Sequence, residues 1–291
     1  MRDITFVKPD TPHRPLASMA DTAPRQGLGA AALALAGSRW LASRATRPLC
    51  DDPWAGDLAG EDGRQLALTL RGQSQADGQV VALRTAFFDR QVRHHIHNLG
   101  VRQVVLLGAG LDTRAVRLAH DGVRYFEVDR ADCLDDKRNR AIAAGYPTDA
   151  AEAVACDLET DDLLGTLESR GFSAFEPALF LMENVACYLT ETSLRRLLTT
   201  LRQADPRSRL IFDFPDPRLQ TADTMLRRAE VLDESGSMRW SSEDPLPLFA
   251  AAGLRYVEIS RLDAFCLERT GDLGRRWGTH LYGIAQVSAS A

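Results

Sequence analysis

Residues 104–114 read Val104-Val105-Leu106-Leu107-Gly108-Ala109-Gly110-Leu111-Asp112-Thr113-Arg114. The apolar run predicts a strand that is buried on both faces, and the glycines after it predict a turn into a helix. Because glycine has no Cβ, a ligand can approach the backbone closely at Gly108 and Gly110. A strand, a glycine turn and a helix form the first unit expected of a parallel sheet with helices on both faces.

The chain after Gly100 alternates short apolar runs with helical patterns, which is typical of an α/β domain. We predict parallel strands at 103–107, 124–128, 153–156, 178–182 and 209–212. Two further strands, 255–260 and 280–287, are predicted to close the sheet as an antiparallel pair. Helices are expected to begin near Asp112, Asp132, Leu158 and Thr190. We expect Thr190 to be an N-cap, because its hydroxyl can accept a hydrogen bond from the first turn.

The segment before the sheet divides into an arm and a cap. Residues 1–26 contain four prolines and scattered charges, and we expect them to form a loosely ordered arm. Helical spacing of apolar residues recurs between residues 27 and 99, which predicts a helical cap. The sheet domain is then expected to occupy 100–291, with an insertion at about 215–250 that forms the substrate side together with the cap.

The composition argues against several classes of partner. The formal net charge is −5 and no block of lysine and arginine occurs, so we expect no nucleic-acid partner. The five cysteines are far apart and form no Cys-x-x-Cys pair, which indicates neither a disulfide framework nor a zinc site and favours a reducing cytoplasm. The apolar run at 30–36 is too short to span a bilayer, so no membrane association is expected. The oligomeric state does not follow from these features.

The glycine turn and the next strand together predict an adenosine site. Asp129 ends that strand 21 positions after Gly108, which is the usual spacing for a carboxylate that binds a ribose hydroxyl pair. A dinucleotide site would need a third glycine at position 113 and a helix N-terminus left free for the pyrophosphate. Here Thr113 follows Asp112, whose carboxylate would repel a diphosphate. S-adenosylmethionine has no phosphate and carries an ammonium group, so the sequence favours it over a nicotinamide dinucleotide and its oxidoreductase chemistry.

Motifs follow one another along the chain in a recognisable order. They are 84–89 (RTAFFD), 105–114, 125–129 (YFEVD) with Lys137, 156–158 (CDL), and Glu183 with Tyr188-Leu189. This series resembles the leucine carboxyl methyltransferase family and its bacterial branch of tetracenomycin-type polyketide carboxyl O-methyltransferases, over roughly residues 30–287. The resemblance implies an α/β fold, the Rossmann-like sheet of class I S-adenosylmethionine-dependent methyltransferases with an N-terminal helical cap. It also implies O-methylation of a small or polyketide-like metabolite.

The resemblance also implies roles for individual residues. Arg84 would bind the methionine carboxylate, because a guanidinium can donate two parallel charge-assisted hydrogen bonds. Glu183 would meet the methionine ammonium group, and Asp129 would hold the ribose. Asp157 and Leu158 would frame the adenine. The full set predicted for the cofactor is Arg84, Gly108, Gly110, Asp112, Asp129, Asp157, Leu158 and Glu183.

Three of the motif residues have alternative interpretations that do not involve a ligand. Arg84 could instead pair with Asp89 on the cap surface, and Asp157 could cap the helix after its strand. Lys137 could be a solvated helix residue paired to Asp135 or Asp136.

Four further residues stand apart from the predicted site. Glu127 faces away from Val128 on its strand, so we expect it to be buried against a helix and leave it out of the site. The cluster His94, His95 and His97 lacks a third convincing ligand, and we expect it to lie on a solvated helix face without a metal.

The sequence offers fewer candidate residues for substrate binding than for cofactor binding. Tyr188 is a candidate for orienting the acceptor oxygen, although it could equally pack against the cap. Arg39 is a candidate for pairing with a substrate carboxylate, although it could be a solvated helix charge. Asn184 stands where family members commonly have a small residue after the glutamate. We expect this departure to affect the shape of the substrate pocket more than cofactor binding.

The acceptor that we expect is a carboxylate. The motifs contain no histidine that could act as a general base, and no catalytic residue is predicted. A carboxylate, with a pKa near ~4, needs no base at neutral pH, whereas a phenol, near ~10, generally does. A phenolic or enolic hydroxyl is the alternative acceptor. The alternative from another functional class is a scaffold or binding protein that has the same fold but does not transfer methyl groups.

Overall fold

A seven-stranded sheet is the centre of the fold in the computed structural model, which describes residues 27–73, 75–221, 230–232 and 238–288. Its strands are β1 (Gln103–Leu107), β2 (Arg124–Asp129), β3 (Glu152–Ala155), β4 (Ala178–Met182), β5 (Arg209–Pro215), β6 (Arg255–Arg261) and β7 (Tyr282–Ser288). They lie in the order β3-β2-β1-β4-β5-β7-β6. β1 to β5 are parallel, and β7 runs antiparallel between β5 and β6. The predicted strands and their closing antiparallel pair are confirmed, although β5 continues past Phe212 to Pro215.

Helices precede the sheet and cover both of its faces. They are α1 (Ala30–Ser43), α2 (Ala55–Gln73), α3 (Gln75–His97), α4 (Arg114–Arg117), α5 (Ala131–Ala144), α6 (Leu163–Ser169), α7 (Glu191–Leu201), α8 (Leu246–Ala252) and α9 (Leu262–Thr270). Short 3-10 helices occur at Ala186–Tyr188, Pro217–Thr221, Arg275–Trp277 and Thr279–Leu281. Within the described parts of the chain, no helix is both long enough and apolar enough to cross a membrane.

Strand β1 supplies the core on both sides of the sheet. Its five residues are all buried, as the unbroken apolar run predicts. Because successive side chains of a strand point to opposite faces, Val104 and Leu106 join a cluster with α3 and α9. Val105 and Leu107 join another cluster with α6, α7 and α8. The carboxyl end of β1 is therefore held from both sides.

One predicted helix start is wrong and three are confirmed. The helix expected near Leu158 begins at Leu163, because Asp162 is its N-cap and accepts a hydrogen bond from the backbone of Gly165. The helix expected near Asp112 begins two residues later. Thr190 caps α7 as predicted, with its hydroxyl 3.1 Å from the backbone nitrogen of Ser193. The helix predicted near Asp132 begins at the neighbouring residue.

The predicted division into arm, cap and sheet domain remains a prediction. The arm, residues 1–26, lies outside the described residues, and so does much of the insertion expected at 215–250. The region predicted as the cap contains α1, α2 and α3.

Helices α1 and α2 approach each other closely enough to bring their backbones into contact. A Cβ added at Gly37 would overlap the carbonyl oxygen of Gly63 and would lie 2.8 Å from the Cβ of Ala67. On the other side of this contact, apolar residues of α1 and α2 pack against Leu111 and Tyr146. The two helices are thereby packed onto the loop that follows β1.

We expect Gly37→Ala to lower the free energy of unfolding by about 1–3 kcal/mol, the usual cost of overpacking a buried site. The matched control is Gly72→Ala in α2, where an added Cβ meets no atom within 4 Å. That variant should be as stable as the wild type or gain up to about 1 kcal/mol. Urea unfolding measures both, and equal midpoints for Gly37→Ala and the wild type would contradict the close contact.

Candidate functional site

A cavity of about 770 Å³ opens at the carboxyl ends of β1, β2 and β4. Its volume is typical of small-molecule sites, and its position is where doubly wound sheets bind ligands. All the residues predicted from the sequence for cofactor or substrate line it, namely Arg39, Arg84, Gly108, Gly110, Asp112, Asp129, Asp157, Leu158, Glu183 and Tyr188. Their individual roles remain predictions.

The glycine loop is held by the end of β2. Gly108 and Gly110 both have positive φ angles, 66° and 46°, which residues other than glycine rarely adopt. The backbone nitrogen of Gly108 donates to the carbonyl of Val128 at 2.8 Å. The backbone nitrogen of Gly110 donates to Oδ2 of Asp129, also at 2.8 Å. The carboxylate predicted to hold the ribose therefore also fixes the loop that a cofactor would lie against.

Arg84, from α3, is buried at the floor of the cavity. Its Nε donates to Oε1 of Glu183 at 3.2 Å, and its Nη1 donates to Asn184 and to Asp213 at 3.1 and 3.2 Å. The alternative pairing with Asp89 is therefore wrong. Burial alone would lower the pKa of Arg84, but the carboxylates of Asp213 and Glu183 raise it above its usual value. None of the described residues accepts a hydrogen bond from its Nη2, which leaves this group for a ligand.

Arg114, from α4, is the second cation that holds Glu183. Its Nη2 lies 2.7 Å from Oε2 of Glu183, and its Nε donates to Asp89 at 2.7 Å. Its Nη1 pairs with Asp112. Burial would raise the pKa of Asp112, but Arg114 and Arg39 outweigh it and hold that pKa at about 2. Asp112 is therefore ionised throughout the physiological range.

Arg39 connects α1 to the cofactor loop. Its Nε donates to the buried Asp52 at 2.9 Å, and its Nη2 donates to the carbonyl of Leu111 at 2.7 Å. The interpretation of Arg39 as a solvated helix charge is therefore wrong. Asp52 also accepts from the hydroxyl of Thr113 at 2.8 Å. A pairing of Arg39 with substrate remains a prediction, but two of its donor groups already hold the loop.

Lys137 is buried and not solvated, so its interpretation as a helix surface residue paired to Asp135 or Asp136 is wrong. Its Nζ lies 2.7 Å from Oε2 of Glu127 and donates to the carbonyl of Asp112 at 2.6 Å. Glu127 is buried, as expected. Burial raises its pKa, although Lys137 opposes the rise. This pair supports the loop from below.

Asp157 does not cap the next helix, since Asp162 does so. Its Oδ1 instead accepts from the backbone nitrogen of Glu159 at 2.8 Å, which shapes the turn after β3. Leu158 packs against the main core cluster. Both side chains line the cavity, where the predicted adenine contact is possible.

Tyr188 packs against α1 and α2, the helices of the region predicted as the cap, in a cluster with Ala31, Ala34 and Leu70. This is one of the two interpretations left open by the sequence. Because Tyr188 also lines the cavity, its role in orienting an acceptor remains a prediction.

The histidine cluster on α3 is solvated in part. His95 is 1% exposed, with Nδ1 2.8 Å from the carbonyl of Gln91, so the expectation of a fully solvated face is wrong. Burial lowers the pKa of His95. His94 and His97 are exposed. Within the described residues, no group of three or more His, Cys, Asp or Glu side chains could hold a metal ion.

Sequence reasoning missed Asp213, which is buried in β5. Its Oδ1 accepts from the backbone nitrogen of Asn184 at 2.6 Å, and its Oδ2 pairs with Arg84. Asn184 has a φ of 57°, in the left-handed region where asparagine is better tolerated than most residues. The sequence did offer a signal, because Asp213 is an acidic residue inside the largely apolar stretch 209–215. The predicted strand ended at Phe212, one residue before it. Asp213 therefore holds both the turn after β4 and the buried guanidinium.

The ion pairs around the cavity join into one network with an excess of negative charge. Its carboxylates are Asp52, Asp89, Asp112, Glu127, Glu183 and Asp213, and its cations are Arg39, Arg84, Arg114, Arg117 and Lys137. Burial raises the pKa of Asp213 even though Arg84 opposes the rise. Buried charges are stable when they are paired, and each carboxylate of the network has at least one cationic partner.

Comparison with known proteins identifies a family and related chains. The family model for leucine carboxyl methyltransferase matches residues 32–202. A protein of Mycobacterium marinum named "Putative S-adenosyl-L-methionine-dependent methyltransferase" is 35% identical over 73% of this chain and 72% of its own length. A protein of the same name from Mycobacterium avium is 29% identical over 88% of this chain and 93% of its own length.

Two solved structures share the fold. One is named a "putative methyltransferase" of Thermobifida fusca, with a TM-score of 0.63 and 17% identity over 91% of this chain and 96% of that one. The other is a DUF574 family protein of Streptomyces avermitilis, with a TM-score of 0.64 and 14% identity over 90% of this chain and 97% of that one. The fold is thus the Rossmann-like α/β fold of class I methyltransferases. Since the family model matches more than half of its length, this chain belongs to the leucine carboxyl methyltransferase family.

Proposed function

We propose that the protein transfers the methyl group of S-adenosylmethionine to a carboxylate oxygen of a small or polyketide-like, largely apolar metabolite. The observation that carries the proposal is the cavity itself, which brings together every residue predicted for the cofactor. Family membership supports methyl transfer, and the motif resemblance supports the tetracenomycin-type branch and its carboxyl acceptors.

The residues of the cavity fit S-adenosylmethionine in charge. The cofactor has a sulfonium, an ammonium and a carboxylate, and the cavity wall carries carboxylates for its cationic groups and guanidinium groups for its carboxylate. Nη2 of Arg84 is available for the methionine carboxylate, and Glu183 lies beside it for the ammonium group. Asp129 would accept from the ribose, and Asp157 with Leu158 would bind the adenine.

The chemistry of the cavity wall favours an acceptor that is already ionised. When bound, the cofactor supplies an electrophilic methyl group, and the protein aligns the acceptor oxygen and excludes water. Among the described residues that line the cavity there is no histidine. Burial raises the pKa of Cys133 to about 12 and that of Cys156 to about 11, so neither thiol is a base at neutral pH. A carboxylate acceptor needs no such base.

We expect Asp129→Asn to weaken S-adenosylhomocysteine binding by about 1.5–3 kcal/mol, the range for a hydrogen bond to a charged group. The asparagine oxygen can still accept from Gly110, so the loop should persist, although the hydrogen bond from the backbone nitrogen of Arg130 to Oδ1 is lost. Calorimetry would measure the affinity, with an S-adenosylhomocysteine analogue that lacks both ribose hydroxyls as the control ligand. That analogue should bind both proteins equally, and an equal loss for both ligands would show a disturbed loop instead of a lost ribose contact.

We expect incubation with methyl-labelled S-adenosylmethionine and a pool of apolar carboxylic acids to yield a labelled methyl ester. Esters are hydrolysed by alkali, so the label should return as methanol after alkaline treatment. An alkali-stable labelled ether would identify a phenolic or enolic acceptor and contradict the carboxylate. The absence of labelled product from acids, phenols and a cell lysate would favour a protein that keeps the fold without methyl transfer.

The rate of methyl transfer under single-turnover conditions should be nearly flat from about pH 6 to pH 9, because a carboxylate is ionised throughout that range. The cysteines of the cavity wall do not titrate there, since burial raises their pKa values above it. A phenol would instead give a rate that rises with pH as the phenolate fraction grows. Rapid-quench measurements across this range distinguish the two profiles.

A further inference from the structure

Arg239 lines the cavity but lies outside the buried ion network. Its Nη1 lies 2.8 Å from Oε2 of Glu159, and the side chains of this pair are 45% and 31% exposed. Within the part of the chain that the structure describes, its Nε and Nη2 have no hydrogen-bond partner. Among the described residues, the guanidinium of Arg239 on the cavity wall therefore has one acidic partner, Glu159.

The backbone of Arg239 is anchored beside the end of β4. The backbone nitrogens of Arg239 and Trp240 both donate to the carbonyl of Cys187, at 2.7 and 3.2 Å. Trp240 is buried and packs against the rings of Phe212 and Phe214. Cys187 directly precedes Tyr188, and Nη1 of Arg239 lies 3.5 Å from the carbonyl oxygen of Tyr188, the residue predicted to orient the acceptor.

Other arginines of the cavity are committed elsewhere. Arg39 holds Asp52 and the carbonyl of Leu111, and all three nitrogens of the Arg114 guanidinium are engaged by acids. Arg84 is required for Glu183 and, in the proposed function, for the cofactor's carboxylate. Arg130 pairs with Asp132 on the ribose side.

We propose that Arg239 binds the carboxylate of the acceptor and so selects acids over neutral molecules of the same shape. This inference rests on the proposed function. A guanidinium presents two parallel donors that match a carboxylate, and Nε and Nη2 form such an edge. An exposed ion pair contributes about 0–1 kcal/mol, so the resident pair between Nη1 and Glu159 opposes a second carboxylate only weakly.

Glu159 is then the resident counter-ion on Nη1, and its charge opposes a second carboxylate on Nε and Nη2. Burial would raise its pKa, but the hydrogen bonds from Arg239 and from the backbone of Thr190 lower it. Glu159 is thus ionised at neutral pH and competes with an incoming acid. Removing its charge should have the opposite effect to removing that of Arg239, and this difference in sign makes the proposal testable.

The experiment titrates 2-naphthoate, an apolar acid, and its neutral counterpart 2-naphthamide into the full-length protein saturated with S-adenosylhomocysteine. Arg239→Gln should weaken 2-naphthoate binding about tenfold to a hundredfold, the effect of losing a hydrogen bond between charged groups. Arg239→Lys should be intermediate, because an ammonium lacks the bidentate edge. Glu159→Gln should tighten 2-naphthoate binding by up to about fivefold. The affinities for 2-naphthamide and for S-adenosylhomocysteine should not change.

Arg90→Gln is the matched control, since Arg90 is 44% exposed and its Nη1 pairs with Glu268 at 2.7 Å away from the cavity. It should bind 2-naphthoate as the wild type does. The proposal is overturned if Arg239→Gln binds 2-naphthoate as tightly as the wild type, or if naphthamide binding falls by the same factor. It is also overturned if the wild type, saturated with S-adenosylhomocysteine, shows no saturable binding of 2-naphthoate. Failure of the wild type to bind S-adenosylhomocysteine would instead overturn the proposed function.

Discussion

Glu183 is held between two buried guanidinium groups, and the rest of the site depends on this pairing. One oxygen meets Arg84 from α3, and the other meets Arg114 from α4. Three parts of the chain, the region before the sheet, the helix after the glycine loop and the end of β4, thus converge on one carboxylate. Removing one partner of a buried pair leaves an uncompensated charge, which typically costs about 3–5 kcal/mol. The geometry of the cavity is therefore tied to the stability of the fold.

Contacts from several elements fix the backbone of the glycine loop, so that it can bind a ligand in a defined geometry. Asp129 holds Gly110 from one side, and Lys137 holds the carbonyl of Asp112 from below. Arg39 holds the carbonyl of Leu111 from the cap. A loop whose backbone groups are fixed in this way loses little further entropy when a ligand binds, which favours affinity.

The sequence predicted local features well and long-range partners poorly. The apolar run of β1, its glycine turn and the spacing to Asp129 are local, and they located the sheet and the cavity. Periodicity shows which face of an element is buried, but it does not show which charge lies opposite. The sequence therefore left a surface position open for Lys137 and Arg39, although they form largely buried ion pairs with Glu127 and Asp52. Asp213 was missed for the same reason, since its partner Arg84 lies 129 residues away in the chain.

That separation in sequence also sets an order of events during synthesis. A chain emerging from the ribosome carries Arg84, the glycine loop and Glu183 well before it carries Asp213. Until β5 pairs with β4, the turn at Asn184 lacks the carboxylate that holds it, and Arg84 lacks one of its two acidic partners. Contacts between distant segments form late because loop closure must come first. A nascent chain that stops short of β5 therefore has the cofactor motifs without the carboxylate that holds Asn184 and Arg84.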